Sequence, residues 1–358
     1  MLSCGTMNPE STPVINTALL SFGMSGRVFH APFIHLHPGF NLLGSWERSD
    51  KKITRAYPST SSFDTLEQIL EDPVVDLVIV NTPTLTHYDY ARQALLHGKH
   101  VVVEKAFAGN VEEAIELRDL AEQQQCRLAV FQNRRWDSDF LAVKEILKQG
   151  VLGDIVEANL AYSRYDPGLS PKSHKEEPNS GSGNLKDLGP HVIDQALVLF
   201  GMPEAVFADI GITRDYSKVD DYFDILLSYA DKRVHVKSGY FYKQPLPEFT
   251  LFGKKGCFIK SRADAQESQL DSGMTPDDDA YGMEPDSAVG LLYTGEVGEN
   301  LVQKIPSPRG NYAEFYTRIY ESIVHDQPEP VPADDGVRVM KVIDAAEKSC
   351  RKGRMIAI

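Results

Sequence analysis

The chain has 358 residues, 42% hydrophobic and 25% charged, with a formal net charge of −14. This length exceeds one ordinary hydrophobic core, so two domains are expected. The acidic balance argues against nucleic acid or an anionic membrane surface as a partner, since both need a basic face, and no apolar run approaches the roughly 20 residues of a membrane helix.

Residues 1–15 open MLSCGTMNPESTP, which is polar and lacks the apolar run of a signal peptide; they read as a disordered tail. The four cysteines, Cys4, Cys126, Cys257 and Cys350, are scattered without paired spacing. They read as free thiols of a reducing compartment, hence a cytoplasmic protein.

From 16 to 135, short β-rich runs alternate with helical patterns. Strands are expected at 17–22, 40–46, 75–80, 100–104 and 127–131, and helices at 25–36, 62–71, 86–97 and 111–125, with a further helix at 138–149. Near-continuous apolar strands separated by helices imply a parallel sheet covered on both faces, an α/β Rossmann domain.

The first strand-to-helix turn reads SFGMSG. A dinucleotide fingerprint places G-x-G-x-x-G there, so that backbone approaches the pyrophosphate and the helix packs closely on the strand. Gly23 and Gly26 fill the second and third places, with Met24 and Ser25 between them, and Ser21 takes the first. The free N–H groups of the following helix would then face phosphate. An ordinary tight turn is the competing reading.

At the end of the second strand, an acidic residue reads the ribose of NAD and an arginine the 2′-phosphate of NADP. Glu47 and Arg48 offer both, and the following Lys51 and Lys52 tilt the reading to NADP over NAD. The loop NTPTLTHYDY places Thr82 and Pro83 beside the adenosine and His87 along the cofactor, with helix capping by Thr84 or Thr86 as the alternative. Glu104 and Lys105 close the fourth strand in HVVVEK, where an ammonium can stabilise charge developing on a substrate oxygen. A surface ion pair is the other possibility there.

Beyond Gly153 the runs at 154–165, 204–214, 220–230, 233–243, 246–253 and 256–261 are strand-like and joined by turns. They imply an α+β domain over 136–332 with a large, mostly antiparallel open sheet. An acidic loop is expected at 271–287, helices at 312–325 and 334–351, and a C-terminal helix and tail over 333–358.

The helix expected at 188–200 opens DLGPHVID. Asp187, His191 and Asp194 fall at i, i+4 and i+7, hence on one face. Pro190 fits only a first turn, which sets His191 at the positive end of the helix dipole, where neutral imidazole is favoured. Asp187 is expected to orient the ring, as an acid beside a general base does; a structural histidine is the alternative. The histidines of FHAPFIHLH lack carboxylate or cysteine company and suitable spacing, so no metal is expected.

Glu104-Lys105-Ala106 and Asp187-Leu188-Gly189-Pro190-His191-Val192-Ile193-Asp194 resemble the E-K-P and D-x-G-x-H-x-x-D motifs of the Gfo/Idh/MocA oxidoreductases. The likeness spans about 17–351, and GRVFHAPFI, FQNRRWDSDF and AYSRYDP resemble the NADP-dependent scyllo-inositol dehydrogenase branch. The resemblance implies Lys105 and His191 as catalytic pair with Asp187 assisting. It also implies cofactor contacts from Gly23, Gly26, Arg48, Thr82, His87, Glu104 and Asn133. Substrate contacts would come from Trp136, Tyr162, Arg164 and Asp187, together with His191. The implied activity is hydride transfer between nicotinamide and a secondary alcohol of a cyclic polyol or sugar, in a homodimer or higher homo-oligomer. A catalytically silent sensing regulator and a dihydrodiol-type dehydrogenase are the rival readings. Ala106 replaces the family's proline; a non-proline cis bond costs about 2.5–4 kcal/mol, so a trans peptide and a displaced Lys105 are expected.

Overall fold

The structure is a computed structural model that describes residues 13–358. The expected tail up to residue 12, with Cys4, lies outside the described residues. Residues 13–15 are tied down: Ile15 opens the first strand, and the Pro13 carbonyl accepts a hydrogen bond from Tyr320 at 3.0 Å.

Six parallel strands form the first sheet: β1 (Ile15–Leu19), β2 (Phe40–Trp46), β3 (Ser61–Phe63), β4 (Leu77–Val80), β5 (His100–Glu104) and β6 (Leu128–Phe131), in the order β3-β2-β1-β4-β5-β6. Every residue of β4 and β6 is buried, as a doubly covered parallel sheet requires. The order reverses beside β1, so the crevice for a dinucleotide opens at the C-terminal ends of β1 and β4.

Two expectations need correction. β1 is earlier than 17–22, because the chain bends at Leu20 and again at Gly23 before the helix. The helix expected at 62–71 is mostly absent: Ser61–Phe63 pairs with the β2 edge, and one turn at Glu67–Leu70 remains. The Ser/Thr-rich run STSS has little helix preference, and pairing with β2 overrides it.

The second sheet has nine strands: β7 (Ile155–Ser163), β8 (Ala205–Gly211), β9 (Tyr222–Ser228), β10 (Arg233–Gly239), β11 (Phe249–Gly253), β12 (Gly256–Lys260), β13 (Gly290–Thr294), β14 (Leu301–Ile305) and β15 (Ile356–Ala357). All pairings are antiparallel except β7 with β10. The β13–β14 hairpin and β15 were not expected from the sequence; β14 is exposed almost throughout, so it lacks an apolar signature. Helix Gly189–Phe200 packs on β7 and β10.

The last residues join the two sheets. The Val331 carbonyl accepts from the Val130 amide on the edge of the first sheet at 3.0 Å. Helix Ala333–Lys352 then lies against β6, helix Val111–Gln123 and β8, and β15 adds to the edge of the second sheet.

Candidate active site

A crevice of about 940 Å³ runs between the C-terminal edge of the first sheet and the covered face of the second. Its first wall is the turn after β1. Gly26 is required there: a Cβ would lie 2.3 Å from the Ser21 carbonyl oxygen, so any side chain would lever the helix off the turn. Ser21, in place of the first fingerprint glycine, accepts from the Gly23 amide at 3.1 Å and so closes the turn. Gly23, Met24 and Ser25 line the crevice, and Ser25 donates to Glu104 at 2.7 Å. The helix that follows, residues 24–36, carries a π-turn at Gly26–His30. That turn brings His30 to Glu104 (3.2 Å) and to the Tyr316 hydroxyl (2.8 Å). Burial pushes the Glu104 carboxyl up, but His30, Ser25 and Lys105 outweigh it and hold it below its ordinary value.

Glu47 and Arg48 part company. Glu47 is buried, and its carboxylate accepts from the Lys52 and Ile53 amides (2.8 and 3.2 Å) and the Ser62 hydroxyl (3.0 Å). It lines the crevice, but these bonds shape the loop and leave little of its capacity for a ribose. Arg48 is exposed and lines the crevice with Ser49 and Lys52, and it has no ion-pair partner among the described residues.

Thr82 and Pro83 line the wall as expected, and Thr86 stands at the N-cap of the next helix but makes no side-chain capping hydrogen bond. Thr86 donates to the Pro83 carbonyl instead. His87 is also displaced from its expected role. It is buried, with its ring nitrogens against the carbonyls of Thr82 (2.8 Å) and Ala106 (2.7 Å). It braces two crevice loops from behind. The Lys105–Ala106 peptide is cis, which corrects the expected trans turn.

The Lys105 ammonium donates to the Asp187 carbonyl (2.6 Å) and to its carboxylate (2.9 Å). Lys175 holds the other carboxylate oxygen at 2.6 Å. Burial pushes the Asp187 carboxyl up, yet the two lysines outweigh it and hold it well below the carboxylate range. Asp187 therefore positions Lys105 and Lys175, and the expected hold on His191 falls to another residue.

That residue is Gln132. Its side-chain amide donates to the Pro190 carbonyl (3.2 Å), so its oxygen faces His191 Nδ1 at 3.1 Å. An acceptor there requires the proton on Nδ1 and leaves Nε2 with its lone pair. Nε2 has no hydrogen-bond partner among the described residues, and His191 lines the crevice. Burial lowers the His191 pKa well below the ordinary value; Lys105 and Arg134 push the same way, and Asp187 opposes. Pro190 stands in the first turn of Gly189–Phe200, as its spacing predicts. Asp194 faces away, gripped by Arg135 at 2.7 and 2.8 Å.

Asn133, expected as a cofactor contact, lines the crevice and is buried; among the expected substrate residues, Arg164 lines it too. Trp136 does not; it packs edge-on against Phe315. Tyr162 lies one layer beneath, its ring 6.4 Å from that of His191 and flanked by the guanidinium groups of Arg134 and Arg262. Gln132, Arg134, Lys175 and Arg262 are additional site residues. Only the first two had a sequence signal, as neighbours of Asn133.

A Rossmann sheet whose crevice meets a neutral imidazole and an ammonium defines a nicotinamide-dependent oxidoreductase. The chain belongs to the Gfo/Idh/MocA family: residues 15–132 match the oxidoreductase family's NAD-binding Rossmann fold, and residues 144–358 its C-terminal alpha/beta domain. It is an NAD(P)-dependent dehydrogenase acting on CH–OH groups. It is 35% identical to the scyllo-inositol 2-dehydrogenase (NADP(+)) IolW of Bacillus subtilis (strain 168), over 96% of each chain. To the oxidoreductase YdgJ of Escherichia coli (strain K12) it is 33% identical, over 94% of this chain and 96% of that one. The solved structure of yvaA from Bacillus subtilis superposes with a TM-score of 0.93 at 34% identity, covering 98% of this chain and all (100%) of the other.

Proposed function

We propose that this chain transfers hydride, with NADP as preferred cofactor, between nicotinamide and a secondary alcohol or ketone of a cyclic polyol or sugar of inositol type. The observation that carries the reading is His191, whose Nε2 has no hydrogen-bond partner among the described residues, in the same crevice as the Lys105 ammonium. The name of the 35%-identical relative IolW supports the substrate class and the cofactor.

The residues fit a dinucleotide. Gly26 permits the close turn, the helix beyond it presents free amides, and Arg48 and Lys52 stand where a 2′-phosphate would lie. With the Glu47 carboxylate engaged by its own loop, the ribose end favours phosphate over a free hydroxyl. A bound nicotinamide would supply the acceptor for the hydride of the alcohol carbon. His191 Nε2 takes the hydroxyl proton as the carbonyl forms, and the Lys105 ammonium donates to that oxygen as its negative charge grows. Asp187 keeps the ammonium aimed.

We further propose a substrate domain over 136–332, a cytoplasmic location in keeping with free Cys126, Cys257 and Cys350, and a homodimer. The dimer would form through the outer face of the second sheet, where Phe207 and Phe252 are exposed.

The test is to follow nicotinamide absorbance with NADP and NAD against inositols and sugars. Lys105→Ala and His191→Ala are each expected to lower kcat by about 10²–10⁴-fold with cofactor affinity retained. Arg48→Ala is expected to raise the Kd for NADP by about 10–100-fold and to leave that for NAD near its starting value. Unchanged turnover in the Lys105/His191 double variant would remove the mechanism.

A further inference from the structure

The substrate end of the crevice carries more positive charge than a neutral polyol requires, in a chain whose net charge is −14. Most of these cations are already matched. Lys105 and Lys175 share Asp187, Lys186 holds Glu347 at 3.1 Å, and Arg134 holds Glu267 at 2.7 Å and Asp137 at 3.3 Å. Arg164, Arg262 and the exposed Lys172 line the crevice with no carboxylate within salt-bridge distance among the described residues, although the buried Glu248 and Asp137 act on Arg262 from further off. Each guanidinium instead lies over a tyrosine ring, Arg262 over Tyr162 at 4.5 Å and Arg164 over Tyr240 at 4.4 Å.

Strand register sets both at the same end of the second sheet. Leu160 of β7 is opposite Phe249 of β11, which is opposite Lys260 of β12. Two residues further along the same row stand Tyr162 and Arg262, and Arg164 follows Tyr162 on the same face. Stacking on a tyrosine holds a guanidinium plane in place while its N–H fork stays free for a ligand. A substrate that closed over two unmatched cations would strip their water without compensation, whereas an oxyanion would supply it. The phosphates of the dinucleotide would lie at the other end, by Gly23 and Arg48.

We propose that the substrate carries an oxyanion substituent, a carboxylate or a phosphate, which Arg262 and Arg164 grip while the secondary alcohol lies at His191. This inference rests on the dehydrogenase reading above. The test compares kcat/KM, at saturating NADP, for glucuronate and glucose 6-phosphate against glucose, and for an inositol monophosphate against inositol. The expected result is a preference of about 10–100-fold for the anionic member, its identity separating carboxylate from phosphate. The ratio collapses towards one in Arg262→Ala, and Arg262→Lys restores part of it. A wild-type ratio near one, or a ratio unmoved in both Arg262→Ala and Arg164→Ala, overturns the subsite and leaves the dehydrogenase standing. If no compound is turned over, the polyol or sugar reading fails on its own. Calorimetry on the same pairs then decides the subsite: tighter binding of the anion, lost in Arg262→Ala, sustains it, and equal binding overturns it.

Discussion

At the scale of single residues, the chemistry depends on which nitrogen of His191 carries the proton, and Gln132 decides that. Its amide N–H is committed to the Pro190 carbonyl, so only its oxygen can face Nδ1. Gln132→Leu removes this acceptor, frees the ring to adopt the other tautomer and leaves the Pro190 carbonyl without its donor. The expected result is a fall in kcat of about 10-fold or more with the Kd for cofactor unchanged; stopped-flow turnover and fluorescence titration check it. The pH profile follows from the direction of the His191 shift. A depressed pKa keeps the base form populated below the ordinary histidine value of about 6.5, so kcat/KM for alcohol oxidation should stay flat through that pH and fall only in more acidic buffer. In Gln132→Leu the acid limb should move. The sequence places Lys105, Asp187, His191 and Arg48 at the crevice because each sits at the end of an element that faces it, but it gives Asp187 the partner that is in fact Gln132's. Glu47 and His87 have their polar atoms turned to their own loops for a common reason: position at a strand end shows that a residue is near the crevice, not which way its side chain turns. Gln132 and His191 are 59 residues apart, and no local pattern reports such a pairing.

At the scale of elements, long segments with strong periodicity were legible, and those shaped by their neighbours were not. Helix Val111–Gln123 starts at Asn110, whose side chain accepts from the Glu113 amide, and it ends within two residues of the expected bound. β3 has no such internal signal; it is a strand only because β2 offers an open edge. The turn after β1 lies between these cases. Two glycines three apart identify it, yet the need for the second appears only in its 2.3 Å approach to the Ser21 carbonyl. Gly26→Ala must shift either the turn or the helix. A destabilisation of about 1–3 kcal/mol by denaturant titration is expected, together with weakened binding of both NADP and NAD. That loss, blind to the 2′-phosphate, distinguishes the turn from Arg48, whose removal discriminates between the two cofactors.

At the scale of the whole molecule, catalysis requires two sheets to hold Lys105 and His191 in a common geometry, and the last 28 or so residues make that possible. The sequence sets a helix and tail over 333–358, but nothing local reveals that they bind both halves. Val331 and β15 secure the edges of the two sheets, and helix Ala333–Lys352 fills the space between. Gly336 is its point of closest approach: a Cβ would lie 2.6 Å from the Phe107 ring and 2.8 Å from Val130 of β6. Phe107 follows Lys105 by two residues, so a wedge at Gly336 presses on the loop that carries the ammonium. Gly336→Ala is better suited to a helix than glycine by about 0.8–1 kcal/mol, yet the overpacking costs about 1–3 kcal/mol. The net expectation is a lower melting temperature with a single calorimetric transition, because the wedge acts on the joint between the halves and not on either alone. The same variant should lower kcat more than it raises the Kd for NADP, whose turn lies beyond β1. A higher melting temperature, or a loss confined to cofactor affinity, would show that this helix caps the first sheet without setting the spacing of the two halves.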